Sequence, residues 1–325
     1  MIAVTGEALI DLVVESGGGV AVRPGGGPFN TARTIARLGL APVFLGRLSA
    51  DRFGALLRAS LDRDGVTLGV PQLTDAPTTL AAVDVDPGGV ARYHFYLSGT
   101  SSVAMEYAAL SAALPAGLTA LHAGSLALMA EPIATSIERL IASDVPAGTL
   151  VMIDPNCRPE AITDRPAYLA RLSRILRRAG VVKVSVEDLA YLAPGVPAPA
   201  AAAALLDRGP ALVLVTDGPR SAQAVLPGPE VISVDVPAVQ VVDTIGAGDA
   251  FGGGFLAWWA ASGLTGSDLH RSGPVRDAIR AAVEVAALTC TRAGAEPPRL
   301  DEVGSVTWGS STSRSSGRAS SPPSR

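Results

Sequence analysis

The chain is poor in the residues that build redox and metal frameworks. Among 325 residues it has two cysteines, Cys157 and Cys290, and three histidines. So few thiols and imidazoles exclude a disulfide scaffold and a Cys/His zinc cluster, and both cysteines read as small buried thiols in a reducing compartment. Charged residues make up 17% against 48% hydrophobic, which excludes a disordered chain and a coiled coil. Basic charge is not in excess either: the net charge is −4, so no field draws the chain to nucleic acid or acidic lipid. Long uncharged runs are few. Leu189–Leu206 is broken by Pro194, Pro197 and Pro199. Ala250–Ser267 is crowded with glycine and carries Trp258 and Trp259, which read as core packing rather than a sugar platform. The first twelve residues hold Glu7 and Asp11 and lack a basic start, so they read as a first strand and not as an export signal. A cytoplasmic protein with no membrane or nucleic-acid partner is expected.

What the chain does have is glycine and proline, 35 and 25 residues without a period, as in a turn-rich α/β enzyme. Short β-branched runs alternate with helical stretches. Ile2–Val4, Val43–Gly46, Leu121–Gly124, Leu150–Ile153, Val181–Val184 and Leu212–Thr216 read as buried strands. Helices are predicted near 30–38, 53–64, 133–143, 166–179, 199–207 and 276–292. This alternation predicts an α/β fold whose mostly parallel central sheet is covered on both faces, with ligands bound beyond the carboxyl ends of its strands. Thr79–Leu97, with Pro87-Gly88-Gly89 at its centre, breaks the alternation and reads as a β-hairpin. A second hairpin is predicted over 12–22, and the two form a small separate sheet. From Ser305 to Arg325 the chain is rich in serine and proline with no apolar period, so one domain over 1–304 and a disordered tail are expected.

Two motifs carry chemistry. Asp243-Thr-Ile-Gly246-Ala247-Gly248-Asp249 follows a strand-like run, Val239–Val242, and opens a helix-like one. Unpaired N–H groups at a glycine-rich helix start form an anion site. A dinucleotide fingerprint fits loosely, but a carboxylate beside a pyrophosphate would repel it. In a phosphoryl-transfer enzyme Asp249 instead takes the proton of an attacking hydroxyl, while the helix start holds charge on the transferred group. The bland alternative is an aspartate capping a helix. The second motif, Gly25-Gly26-Gly27-Pro28-Phe29-Asn30, lets backbone approach a ligand, and Asn30 can donate and accept. No Gly-Lys-Ser/Thr follows, so it is not a Walker loop.

In order and separation these motifs resemble the paired signatures of ribokinase-like (pfkB-type) carbohydrate kinases, the bacterial fructokinases most of all, over residues 1 to about 303. The resemblance implies a three-layer α/β sandwich with a mostly parallel central sheet and a small β-sheet lid, inserted strands about 12–22 and 79–97 forming that lid, and a homodimer through it. It implies transfer of the ATP γ-phosphate, with Mg²⁺, to a sugar hydroxyl. By the same resemblance Asp249 is the catalytic base and Gly246, Ala247 and Gly248 the anion hole. Asp11, placed at the end of the first strand, Gly26, Gly27 and Asn30 bind substrate, joined by Asn156 and Arg158 of Asp154-Pro-Asn156-Cys157-Arg158. Lys183, Ser185, Thr216, Gly218, Cys290 and Gly294 fall on the ATP side. Glu187 or Asp188 organises Mg²⁺ through water, with Ser185 where many members carry Asn, and Asp243 lies near a monovalent-cation (K⁺) site. D-fructose is the expected acceptor. 2-Keto-3-deoxygluconate, whose carboxylate Arg158 could meet, is the nearest alternative, followed by other sugars and nucleosides.

Overall fold

The computed structural model describes residues 1–14, 18–85, 91–304 and 308. Thirteen strands are described: β1 (Ile2–Thr5), β2 (Leu9–Val14), β3 (Val20–Gly25), β4 (Val43–Leu45), β5 (Thr67–Leu68), β6 (Thr79–Val85), β7 (Ala91–Tyr96), β8 (Ala120–Gly124), β9 (Leu150–Asp154), β10 (Val181–Ser185), β11 (Leu212–Thr216), β12 (Ser221–Val225) and β13 (Val231–Asp235). The helices are α1 (Gly27–Arg37), α2 (Arg52–Asp64), α3 (Tyr107–Ala113), α4 (Ile133–Ser143), α5 (Arg165–Leu176), α6 (Val186–Leu192), α7 (Ala198–Leu206), α8 (Ala247–Ala261) and α9 (Ser272–Cys290).

Nine strands form the main sheet in the order β13-β12-β11-β10-β9-β8-β1-β4-β5. From β11 to β5 every pairing is parallel, and β12 and β13 add an antiparallel edge. The parallel strands are apolar on both faces because both are covered. On one face Val4, Met152 and Leu214 pack with Phe29, Phe255 and Ile279 of α1, α8 and α9. On the other, Val151, Val182 and Val213 pack with Ile137, Leu172 and Ala202 of α4, α5 and α7. Trp259 is 1% exposed and stacks on Phe255, as core packing requires. No helix among the described residues is long and apolar enough to cross a membrane.

The small sheet has the order β3-β2-β6-β7, with β2 parallel to β6 and the outer pairs antiparallel. Both hairpins are present; the turn residues Pro87, Gly88 and Gly89, and Gly17, lie outside the described residues. The first hairpin is longer than the sequence predicts. It begins at Leu9 and runs to Gly25, so Asp11 is not at the end of β1, which stops at Thr5, but inside the small sheet, paired in register with Arg23 and Ala81. Leu9 and Ile10 are buried under the sheet, so the alternation that marks an exposed hairpin starts only after them.

One further expectation is corrected. Val239–Val242 is not a strand: Val241 and Val242 are exposed and the segment passes over the surface. Of the expected tail, Trp308 alone is described, and it packs against the cluster of Leu38, Ala257 and Val303; the rest of 305–325 is outside the described residues.

Candidate functional site

The carboxyl ends of β8 and β9, the first turns of α1 and α8, and the small sheet meet at a cavity of about 220 Å³. Asp11, Gly26, Gly27, Asn30, Asn156, Arg158, Gly246, Gly248 and Asp249 all line it, so the residues expected at the acceptor side converge from distant parts of the chain. Ser125 and Asn156 sit at the ends of β8 and β9 with φ of 57° and 40°, the two described non-glycine residues in the left-handed region. Such backbone costs energy and is held here by the site around it.

Asp249 opens α8 and is buried. Asn30 is not a helix cap; Gly26 caps α1, and Asn30 lies in its first turn with its backbone N–H bonded to the Gly26 carbonyl. From there its side-chain amide donates to Asp249 Oδ2 at 2.9 Å, and its own Oδ1 is buried with no protein partner. Burial pushes the Asp249 carboxyl up to about 6, against the pull of the Asn30 hydrogen bond and the Lys183 ammonium. An acid at that level is ionised at neutral pH and still basic enough to accept a hydroxyl proton.

Gly246 has φ of 78°, and a Cβ there would stand 2.5 Å from the Cβ of Ala295, so both conformation and contact demand glycine. The Ala247 N–H closes a turn onto the Thr244 carbonyl at 3.2 Å. Among the described residues the Gly246 and Gly248 N–H groups have no such backbone acceptor, which leaves them for an anion at the positive end of α8.

Asp11 is 8% exposed, and burial followed by the nearby Asp249 charge pushes it up to about 7. Arg158 lines the same cavity and donates one nitrogen to the Asn156 and Cys157 carbonyls, which fixes its stem.

A second cavity, of about 620 Å³ and mostly apolar, lies on the other side of the Thr244–Gly248 turn. Thr216, Gly218 and Cys290, three of the residues assigned to ATP by resemblance, line it together with the apolar Phe251, Val283 and Ala286. Thr244 and Gly248 line both cavities, so this turn is the wall between them.

Other expected residues are placed differently. Lys183 lines neither cavity; it is 4% exposed and pairs with Asp154 Oδ2 at 2.7 Å. Ser185 caps α6 and Asp188 completes the capping box. Asp188 Oδ1 also accepts from Cys157 N–H at 2.7 Å, so both its oxygens are committed to backbone and to Ser185. Glu187, next to it, is exposed. Asp243 accepts from the N–H groups of Ile245 and Gly294, which ties the loop at 294 to the start of the motif. Gly294 anchors that loop and does not line the apolar cavity.

The sequence reading missed Glu7 as a site residue. Its carboxylate is buried, accepts from the N–H groups of Gly27 and Ala127, and is pushed up to about 7 by burial. An acidic residue inside an apolar amino-terminal run was the available signal. Tyr93 and Phe95, stacked 5.8 Å apart on β7, face the same cavity and carried no signal beyond strand alternation.

This arrangement can hold a polar acceptor beside a carboxylate and a charged donor beyond an anion-binding turn. The comparisons agree with it. The family described as pfkB family carbohydrate kinase matches residues 1–302. The fructokinase of Rhizobium leguminosarum bv. trifolii is 35% identical over 261 residues, 79% of each protein. That of Salmonella typhimurium is 35% identical over 80% of this chain and 85% of its own. Among solved structures, a fructokinase with bound ATP from Xylella fastidiosa superposes with a TM-score of 0.81 at 31% identity, covering 93% of this chain and 96% of that one. A Vibrio cholerae O395 fructokinase in fructose, ADP and calcium ion bound form gives 0.79 at 29%, covering 90% and 94%. With the family match running through nearly the whole described domain and the paired cavities behind it, the chain belongs to the pfkB family of carbohydrate kinases.

Proposed function

We propose that the chain phosphorylates D-fructose at its terminal hydroxyl with ATP, giving fructose 6-phosphate. The observation that carries this is the shared wall: an acceptor-sized polar cavity and a nucleotide-sized apolar one meet at the Thr244–Gly248 turn, with Asp249 on the acceptor side. The relatives named above supply the sugar.

In this reading the adenine occupies the apolar cavity and the phosphates run to the start of α8. Asp11, Gly26, Gly27 and the free Oδ1 of Asn30 hold sugar hydroxyls, with Asn156 and Arg158 closing the far side. Asp249, oriented by Asn30, accepts the proton of the terminal hydroxyl as its oxygen attacks the γ-phosphorus. The N–H groups of Gly246 and Gly248 receive the charge that develops on the transferred phosphoryl. Closure of the small sheet over the sugar excludes water and suppresses ATP hydrolysis.

Mg²⁺ fits here only as a nucleotide-borne ion. Among the described residues no group of three or more metal-ligating side chains exists, and Asp188 is spent on its capping box. Glu187 is the carboxylate left to reach the ion through water, the usual mode for this cation. Bound to the phosphates, Mg²⁺ supplies charge neutralisation. A K⁺ ion near Asp243 would steady the 294 loop.

The small sheet is also proposed to pair two copies. Its outer face exposes Val14, Val20, Val22 and Tyr96, the last 59% exposed, which a lone sheet would leave to water. A dimeric mass at micromolar concentration is expected; a monomer removes the pairing and leaves the lid. Two free thiols and the use of ATP support a cytoplasmic location.

ADP release dependent on both fructose and Mg²⁺ tests the function; no release above the no-sugar rate contradicts it. Asp11→Ala tests the acceptor side. Losing a hydrogen bond from a carboxylate costs about 1.5–3 kcal/mol, so kcat/KM for fructose should fall about 10–150-fold with ATP affinity unchanged. An unaltered kcat/KM would move the sugar away from β2.

A further inference from the structure

The second charged pair at this site lies out of reach of both cavities. Lys183, on β10, and Asp154, at the end of β9, are 4% and 3% exposed and joined at 2.7 Å. Their strands are neighbours, and both side chains face α8. A Cβ on Gly248 would stand 2.9 Å from Lys183 Nζ, so the ammonium sits directly behind the turn that carries Asp249. Burial works against this ammonium, but Asp154 beside it more than offsets that and holds its pKa above the ordinary lysine value. Asp188, Asp249 and Arg158 also act on the pair, and His122 on β8 is buried with no partner at either ring nitrogen among the described residues; burial, then Lys183, pushes it down to about 3, so it is neutral. The two are thus a fixed ion pair in a dry environment. Apolar residues of similar volume would serve stability as well or better, so its presence calls for a reason other than stability.

We propose that Lys183 is a positioning residue of phosphoryl transfer: it stands behind the α8 turn, holds Asp249 ionised for proton abstraction, and is itself kept in place by Asp154. This rests on the reading of Asp249 as base. The groups facing Asp249 are Asn30 from α1, Asp11 from β2, Asp154 and Arg158 from the end of β9, and Lys183 from β10. Among the ionic ones, Lys183 is the leading influence lowering Asp249, and Asp154 opposes it. Removing each must therefore move the base in opposite directions.

The test is the single-turnover rate of phosphoryl transfer against pH, at saturating fructose and Mg-ATP, where product release does not intervene and bound sugar holds Asp11. Lys183→Met should move the acid limb to higher pH by about 1–3 units, with the rate recovering at alkaline pH. Asp154→Asn should move it to lower pH. Lys183→Met leaves Asp154 buried without its cation, so the double variant Lys183→Met/Asp154→Asn guards against failure to fold, since neutral replacement of a buried pair is tolerated. Its limb should still rise, by less than the single Lys183→Met, because the lysine is the larger influence. Limbs superposed on the wild type in every folded variant, or a uniform loss at all pH values, overturn the proposal. Asp249→Asn separates the two readings: a slow, pH-independent rate keeps Asp249 as base whatever the Lys183 result, whereas a retained acid limb removes the base itself.

Discussion

Asp249→Asn is expected to slow phosphoryl transfer by about 10²–10⁴-fold, the usual contribution of a positioned general base, with ATP and fructose still bound. The amide keeps the size of the carboxylate and can accept from Asn30, so the geometry of the α8 turn survives. What is lost is the proton acceptor, and the loss falls on kcat rather than on KM. Stability should move the other way. Burial raises the folded-state pKa of Asp249 from 3.8 to about 6, so between those values the folded protein binds more protons than the unfolded one. Its stability therefore falls as pH rises through that window, and the penalty is complete above it. The Asn variant carries no such penalty. Its Tm at pH 8 should equal or exceed that of the wild type, with the gap closing toward pH 4. A variant retaining more than about a tenth of wild-type turnover would exclude Asp249 as the base.

Asp64→Ala should destabilise the fold by about 3–5 kcal/mol, as breaking a buried ion pair does. Asp64 ends α2 with its side chain fully buried and bridges the Nε atoms of Arg33 and Arg37 on α1, at 2.7 and 2.8 Å. The same arginines reach the Ala295 and Pro297 carbonyls and clamp Glu296. Without Asp64, the Arg33 guanidinium stays buried with one of its three anchors gone, and the loop that presses Ala295 against Gly246 loosens. A fall in Tm of about 10 °C is expected. A change under about 1 kcal/mol would mean that the arginines are satisfied by Glu296 and the carbonyls alone.

The two motifs at Gly25–Asn30 and Asp243–Asp249 were legible because each needs residue types that packing alone does not select. The parallel strands were legible as β-branched runs, buried on both faces. The edge strands Ser221–Val225 and Val231–Asp235 were not, since one face of each is polar or exposed and the runs are short. Val239–Val242 misled for the opposite reason: its valines have strand propensity but cross the surface beside the nucleotide cavity, where Val239 and Val241 form a wall. Lys183, Ser185 and Gly294 were assigned to ATP by motif position. In the structure they form an ion pair, a helix cap and a loop tie, contacts set in the case of Asp154 and Asp243 by neighbours 29 and 51 residues away. Glu7 was missed because its partners, the N–H groups of Gly27 and Ala127, are brought to it only by the fold.

The central claim is that this kinase acts on fructose, and it is tested most directly by kcat/KM for fructose against 2-keto-3-deoxygluconate, ribose and adenosine under one Mg-ATP condition. Each buried polar group left unpaired by a wrong acceptor costs about 1–3 kcal/mol, so fructose should lead by tenfold or more. If any of the other three exceeds fructose by tenfold, about 1.4 kcal/mol in transition-state binding, the acceptor assignment is wrong and the phosphotransferase remains.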